Sequence, residues 1–304
     1  SLVFVNIIVF ACLYDVAPQE AGHFFVFKGL PAAVIGARAA SIVLEDGILN
    51  LWKSPLSTLF RPGFWLHGGI GASFLVVLLE IASKPSQAHF FMESLATSIV
   101  LLDALSRFGC HVYGCCFGRP VAEMSKGEIS SQILLWISIA YNNPSAAIIR
   151  LRPDLRNVPL FPAQLFGAGL YLALYGRLMS LVFASTGTSN ALPLVAGQAL
   201  MLHSLCRLLH ECVRDDPRGS VASTRVTYSH LFAAAQAVTG FAVSVGAGGL
   251  YELSEQQAPT LAVVTQQVSA ALCEPSVGFA LAVGFVVPAA IYGIHVDKVG
   301  RWVQ

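Results

Sequence analysis

The sequence predicts an all-α protein: a polytopic bundle of about seven or eight transmembrane helices, with one long polar loop carrying arginine, glycine and cysteine. Three observations predict it. Of 304 residues, 55% are hydrophobic and only 12% charged, against roughly 25% charged in a soluble domain. Mean hydropathy is +0.67. Apolar stretches that approach the ~20 residues needed to cross a bilayer recur along the chain. Helices follow because lipid offers no water to exposed backbone polar groups.

Residues 2–14 (LVFVNIIVFACLY) are apolar but short, and read as the remnant of a span in a chain that opens on Ser1, as a fragment or processed form does. Spans are predicted near 24–44, 64–83, 89–107, 159–184, 188–210, 228–250 and 276–295. The stretch 133–141 (ILLWISIAY) is too short to cross and reads as re-entrant or interfacial. Gly167, Gly169 and Gly176 on one helix, and Gly240, Gly246, Gly248 and Gly249 at the end of another, point to close helix packing. Residues 1–250 read as one membrane domain, and 251–304 as an appended linker and further helix.

Two connections are polar. Residues 108–158 hold the Gly/Cys run and the basic positions Arg150, Arg152 and Arg156; residues 211–227 hold Glu211, Arg214, Asp215, Asp216, Arg218 and Arg225. With the spans above, both lie on one side with Lys298 and Arg301, which the positive-inside rule makes cytoplasmic or its organellar equivalent. A net charge of +1 gives no reason to expect nucleic acid. Seven cysteines, an odd number, do not describe a secreted disulfide framework.

Charged groups within greasy segments are costly and mark sites. His67, in WLHGG, is followed by Gly68 and Gly69, which either open the backbone to a ligand or let another helix approach. Arg107 stands at the edge of a predicted span, four residues after Asp103. That spacing suits an ion pair on one helical face, while a guanidinium fork also suits a phosphate. Arg207 and Glu211 repeat the spacing, with His203, His210 and Arg214 extending the stripe. Cys110, Cys115 and Cys116, spaced C-x4-C-C, match no zinc pattern. They read first as polarizable packing residues in a tight turn, with redox and metal roles as alternatives. No metal and no cofactor is expected.

These stations, in order, resemble the prolipoprotein diacylglyceryl transferase family. Gly36-Ala37-Arg38 resembles its Gly-Gly-Arg, and Trp65-Leu66-His67-Gly68-Gly69 its Ser-Phe-His-Gly-Gly. Glu93 occupies the place of a family acid. Arg107, Gly109, Gly114, Gly118 and Arg119 match the signature Arg-x-Gly-Asn-Phe-x-Asn-Gly-Glu-x-x-Gly-Arg. Phe161-Pro162-Ala163-Gln164-Leu165-Phe166 is similar to His-Pro-Ser-Gln-Leu-Tyr, and Arg207 with Glu211 to a late Arg-Phe-x-x-Glu helix. Cys110, Tyr113, Cys115 and Phe161 depart from it. The resemblance covers about residues 36–250.

The resemblance implies a transferase that moves a diacylglyceryl group from phosphatidylglycerol to the cysteine thiol of a membrane-tethered protein or peptide. It implies His67 as general base, Arg107 and Arg207 on the phosphate, and Glu211 orienting Arg207. Arg38, Gly68, Gly69, Glu93, Gly109, Gly114, Gly118, Arg119 and Gln164 would contact substrate. It also implies a bacterial inner membrane, with an organelle membrane as the alternative. Its signature loops face away from the cytoplasm, opposite to the charge rule: either arginines recruited to a site override that rule, or the protein is inserted differently or in an organelle membrane. The lost polar positions leave a second expectation open: a catalytically degenerate lipid-binding or structural subunit of a larger membrane complex.

Overall fold

A computed structural model describes residues 2–43, 48–60, 66–124, 128–184, 186, 195–216, 227–250, 259–292 and 301–302. In chain order the helices begin with α1 (Leu2–Leu13), α2 (Pro18–Phe24), α3 (Leu30–Ser41), α4 (Ile48–Lys53), α5 (Pro55–Phe60), α6 (Leu66–Ser83) and α7 (Ala88–Tyr113). The polar connection holds α8 (Val121–Met124), α9 (Glu128–Trp136), strand β1 (Ile139–Ala140) and α10 (Ala147–Leu151). Then come α11 (Ala163–Ala184), α12 (Ala196–Cys212), α13 (Tyr228–Leu250), α14 (Leu261–Cys273), α15 (Pro275–Tyr292) and strand β2 (Arg301–Trp302). The protein is an all-α integral membrane protein. Among the described residues, Pro18–Ser41, Pro85–Tyr113 and Ala163–Ala184 are long and apolar enough to cross a bilayer. Trp65, Pro217, Arg218, Arg225, Lys298 and the segment 251–258 lie outside the described residues.

The chain divides into two compact units, the first made of 1–99, 180–196 and 246–292. In it α1, short as it is, is thoroughly buried: Phe4, Ile8, Phe10 and Ala11 are fully enclosed. Buried Asn6 donates to Thr97 Oγ1 at 3.0 Å and Ser98 Oγ at 3.1 Å, the kind of polar pairing that joins helices away from water. Between α2 and α3 the helix widens into a π turn over Phe25–Gly29, with the Leu30 N–H reaching back to Phe25 O. Pro31 follows directly and has no N–H to give. A one-turn widening is how a helix absorbs one residue too many. The helices α14 and α15 pack on α1 and α2.

The tightest seam in this unit joins α3 to α6. A Cβ on Gly36 would stand 2.5 Å from Gly68 O, one on Gly68 2.4 Å from Gly36 O, and one on Gly69 2.7 Å from Ala33 O. The two backbones touch because these residues have no side chain. Of the two readings left open for Gly68 and Gly69, the geometry is that of helix approach.

The second unit comprises 100–179, 197–245 and 293–304. Here α7 runs on past Arg107 to Tyr113, so Arg107 sits inside a helix rather than at its edge. Gly109 is tolerated there with open space beside it. The helix stops at Gly114, whose φ of 73° is left-handed. Its N–H and that of Cys115 both return to Cys110 O, at 2.9 and 3.1 Å, a glycine-terminated cap. The connection that follows folds on its own small core of Phe117, Ile139, Tyr141, Ile148, Leu155 and Leu160. The stretch expected to be re-entrant is the end of α9 followed by β1, which pairs antiparallel with β2.

Candidate active site

Asp103 on α7 is fully buried, and two arginines converge on it. Arg107, one turn later, gives Nε to Asp103 Oδ1 at 3.0 Å, with Nη2 on the same oxygen. Arg207, from α12, gives Nη1 to Oδ2 at 3.0 Å. His203 Nε2 lies 3.2 Å from that same Oδ2. Gln236 Nε2 stands 2.8 Å from His203 Nδ1, so an amide donating there leaves the ring proton on Nε2, facing Asp103. Both guanidiniums are about 95% buried. Two cations thus share the one carboxylate they both touch.

The helix stripe on α12 completes the arrangement. Arg207 Nε donates to Ser229 Oγ at 3.1 Å, and Ser229 Oγ donates to Glu211 Oε1 at 2.9 Å. Glu211 thus bears on Arg207 through a serine at the start of α13. Arg214, also buried, holds Asp216 with two bonds of 2.9 and 2.8 Å. Its Nη1, 3.6 Å from Glu211, makes no hydrogen bond among the described residues. Burial pushes the Asp216 carboxyl up to about 6, against the pull of Arg214.

Further polar atoms in this unit are buried without a hydrogen bond among the described residues: Tyr171 Oη, both ring nitrogens of His210, and Gln164 Oε1. The Tyr171 ring lies 6.0 Å from the Arg107 guanidinium, 5.0 Å from His203 and 6.0 Å from His210. Buried polar groups are normally satisfied, so this set has the character of a ligand site. A cleft of about 450 Å³ opens beside it, lined by Arg119, Glu211, Arg214, Asp216, Thr227 and His230.

The glycine and cysteine loop is shaped by the same unit. A Cβ on Gly118 would meet Phe161 O at 2.2 Å, and one on Gly114 the Ala146 Cβ at 3.1 Å. Both glycines close against the protein itself. Gln164 Nε2 donates to Cys115 O at 2.8 Å and so pins the loop to α11. The sulfurs of Cys110, Cys115 and Cys116 all lie within 4.8 Å of one another. The thiols of Cys110 and Cys115, then the charges of Arg214 and Arg107, hold the Cys116 thiol well below its usual range.

Arg38, His67 and Glu93 belong to the first unit. Buried Arg38 donates to Ser41 Oγ at 3.2 Å and to Thr58 O. His67 is half-buried in the first turn of α6. Glu93, fully buried, accepts from the Val195 N–H at 3.0 Å, at the N-terminal end of α12, while its other oxygen has no hydrogen bond among the described residues. A carboxylate is well placed at such an end.

Sequence reasoning brought Arg107, Arg207 and Glu211 forward but left Asp103 as a simple partner of Arg107. It gave His203 only a place on the stripe, and did not reach Ser229, Gln236 or Tyr171. One signal was present: Asp103 and Glu93 are the only acids within the predicted span 89–107.

A family model described as prolipoprotein diacylglyceryl transferase matches residues 7–249. Curated proteins agree. A phosphatidylglycerol–prolipoprotein diacylglyceryl transferase of Clostridium tetani is 23% identical over 232 residues, 73% of this chain and 82% of that protein. A second such transferase, of Clostridium perfringens, is 24% identical over 203 residues, 62% of this chain and 65% of its own length. One from Streptococcus pyogenes serotype M5 is 22% identical over 121 residues, 40% of this chain and 47% of its own. The chain thus covers less than two thirds of the latter two.

Proposed function

The chain belongs to the prolipoprotein diacylglyceryl transferase family, and on that premise we propose that it is a phospholipid-dependent transferase. It moves a diacylglyceryl group from phosphatidylglycerol to a cysteine thiol of a membrane-tethered protein or peptide. The bond from glyceryl carbon to phosphate oxygen breaks, a carbon–sulfur bond forms, and glycerol phosphate leaves. The bacterial relatives favour the bacterial inner membrane as its location. The segment from residue 251 is an addition to the family's domain.

One observation carries the reading: Arg107 and Arg207, a hundred residues apart, are buried and share one carboxylate, that of Asp103, while the further acid Glu211 reaches Arg207 only through Ser229. A phosphate monoanion is the natural complement of the two arginines, and guanidinium forks bind it well. The charge that grows on the departing phosphate in the transition state is then met by donors already in place. Asp103 orients both arginines, and the Ser229–Glu211 relay fixes the plane of Arg207. Arg214 and Arg119, on the adjoining cleft, suit an incoming anionic headgroup. His67 is carried as the general base on the resemblance alone, an imidazole being suited to accept a thiol proton near neutral pH.

The test is donor consumption by the purified protein, followed by mass spectrometry with a cysteine-bearing lipobox-like peptide as acceptor. Arg207→Ala and Arg107→Ala are each expected to slow turnover by about 10²–10³-fold, the usual effect of deleting one transition-state donor. Unchanged turnover in both variants overturns the phosphate role.

A further inference from the structure

We propose that Cys110, Cys115 and Cys116 form a binding site for one soft d10 metal cation, held by three thiolates. The three sulfurs lie within 4.8 Å of one another. A metal–sulfur bond of about 2.3 Å sets three sulfurs around one ion roughly 3.8–4.0 Å apart, so small rotations of the side chains close the site. Thiolate ligands select soft ions such as zinc or monovalent copper over magnesium or calcium.

The backbone is built to make this cluster. Gly114 turns left-handed, and Cys116, at φ 56°, does the same without being glycine. Such a residue is strained and persists where its surroundings hold it. Here the Cys115 N–H is tied back to Cys110 O and its carbonyl to Gln164. The double reversal folds Cys115 and Cys116 back on the helix end that carries Cys110. Linear spacing conceals this, because C-x4-C-C presents a useful triangle only after both left-handed turns.

Charge also fits. Three thiolates around a mono- or divalent cation carry net negative charge, and Arg214 and Arg107 both act electrostatically on Cys116. Binding transfers the displaced thiol protons to solvent and involves no change of oxidation state. The proposal stands apart from the transferase reading, since it concerns what the loop holds and not the lipid.

The experiment uses the full chain in detergent, reduced and metal-free, with Cd²⁺ as the probe. A variant with Cys12, Cys206, Cys212 and Cys273 each changed to Ser keeps only the trio. It is expected to take up about one Cd²⁺ per chain, show sulfur-to-cadmium charge-transfer absorption, and keep the ion through dialysis against excess Ca²⁺. The variant Cys110→Ser/Cys115→Ser/Cys116→Ser is expected to lose that uptake while the thermal transition confirms its fold. Failure of the trio-only variant to bind Cd²⁺ overturns the proposal, as does equal uptake by a folded chain lacking the trio.

Discussion

Asp103→Asn lowers stability by about 3–5 kcal/mol, the usual effect of removing one partner from a buried ion pair, and abolishes turnover. The substitution preserves shape but strips away the formal negative charge that Arg107 and Arg207 share. Two guanidiniums, each about 95% buried, then face one another across a neutral amide. The amide keeps only one acceptor oxygen, so either Arg107 or the pair Arg207 and His203 faces an NH2 group instead. The measurement is thermal unfolding of the detergent-solubilised protein beside a lipid turnover assay. A triple replacement, Asp103→Leu with Arg107→Met and Arg207→Met, separates the two effects. Apolar residues of similar volume often substitute for a buried charge cluster without loss of stability, so this chain regains its transition temperature while remaining inactive. Wild-type stability in Asp103→Asn sinks the account of that centre.

Gly68→Ala destabilises by about 1–3 kcal/mol, the range for overpacking a filled interior. The new methyl lands 2.4 Å from Gly36 O and 2.4 Å from Ala40 Cβ. A carbonyl on a helix cannot rotate away, so α3 and α6 must separate along their length. Gly36→Ala forces the same separation from the other side. The double variant is therefore expected to be milder than the sum of the singles, since one movement relieves both contacts. Gly71→Ala, on the same helix with nothing within 4 Å, serves as the control and is neutral or stabilising by up to about 1 kcal/mol. Unfolding by denaturant reads all four proteins; equal effects at Gly68 and Gly71 refute the seam.

Much of this was legible before any coordinates. Hydropathy specifies the class because a bilayer imposes one length and one polarity on every crossing, and all seven predicted spans contain helix. The i,i+4 pairs at 103/107 and 207/211 are local, and a helix makes local spacing spatial. What stayed hidden was non-local. Nothing at position 103 announces that its second oxygen serves Arg207 and His203, a hundred residues on. The end of α7 was placed too early because Arg107 resembles a boundary, whereas the left-handed Gly114 is the stop. The triangle of the three cysteine sulfurs stayed hidden because two backbone reversals, one at a non-glycine residue, cannot be read from composition. The pairing of Gly36 with Gly68 needed knowledge of which helix lies beside which.

The surplus residue in the π turn at Phe25–Gly29 sets an angular phase. A helix advances about 100° per residue, and the wide turn takes up one such step, so a chain one residue shorter there would relax to ordinary winding with the segments on either side still in phase. The orientation of Glu20 toward Lys84 is in that sense counted out in residues, and loss of one residue is better tolerated in this turn than in the regular helix on either side of it.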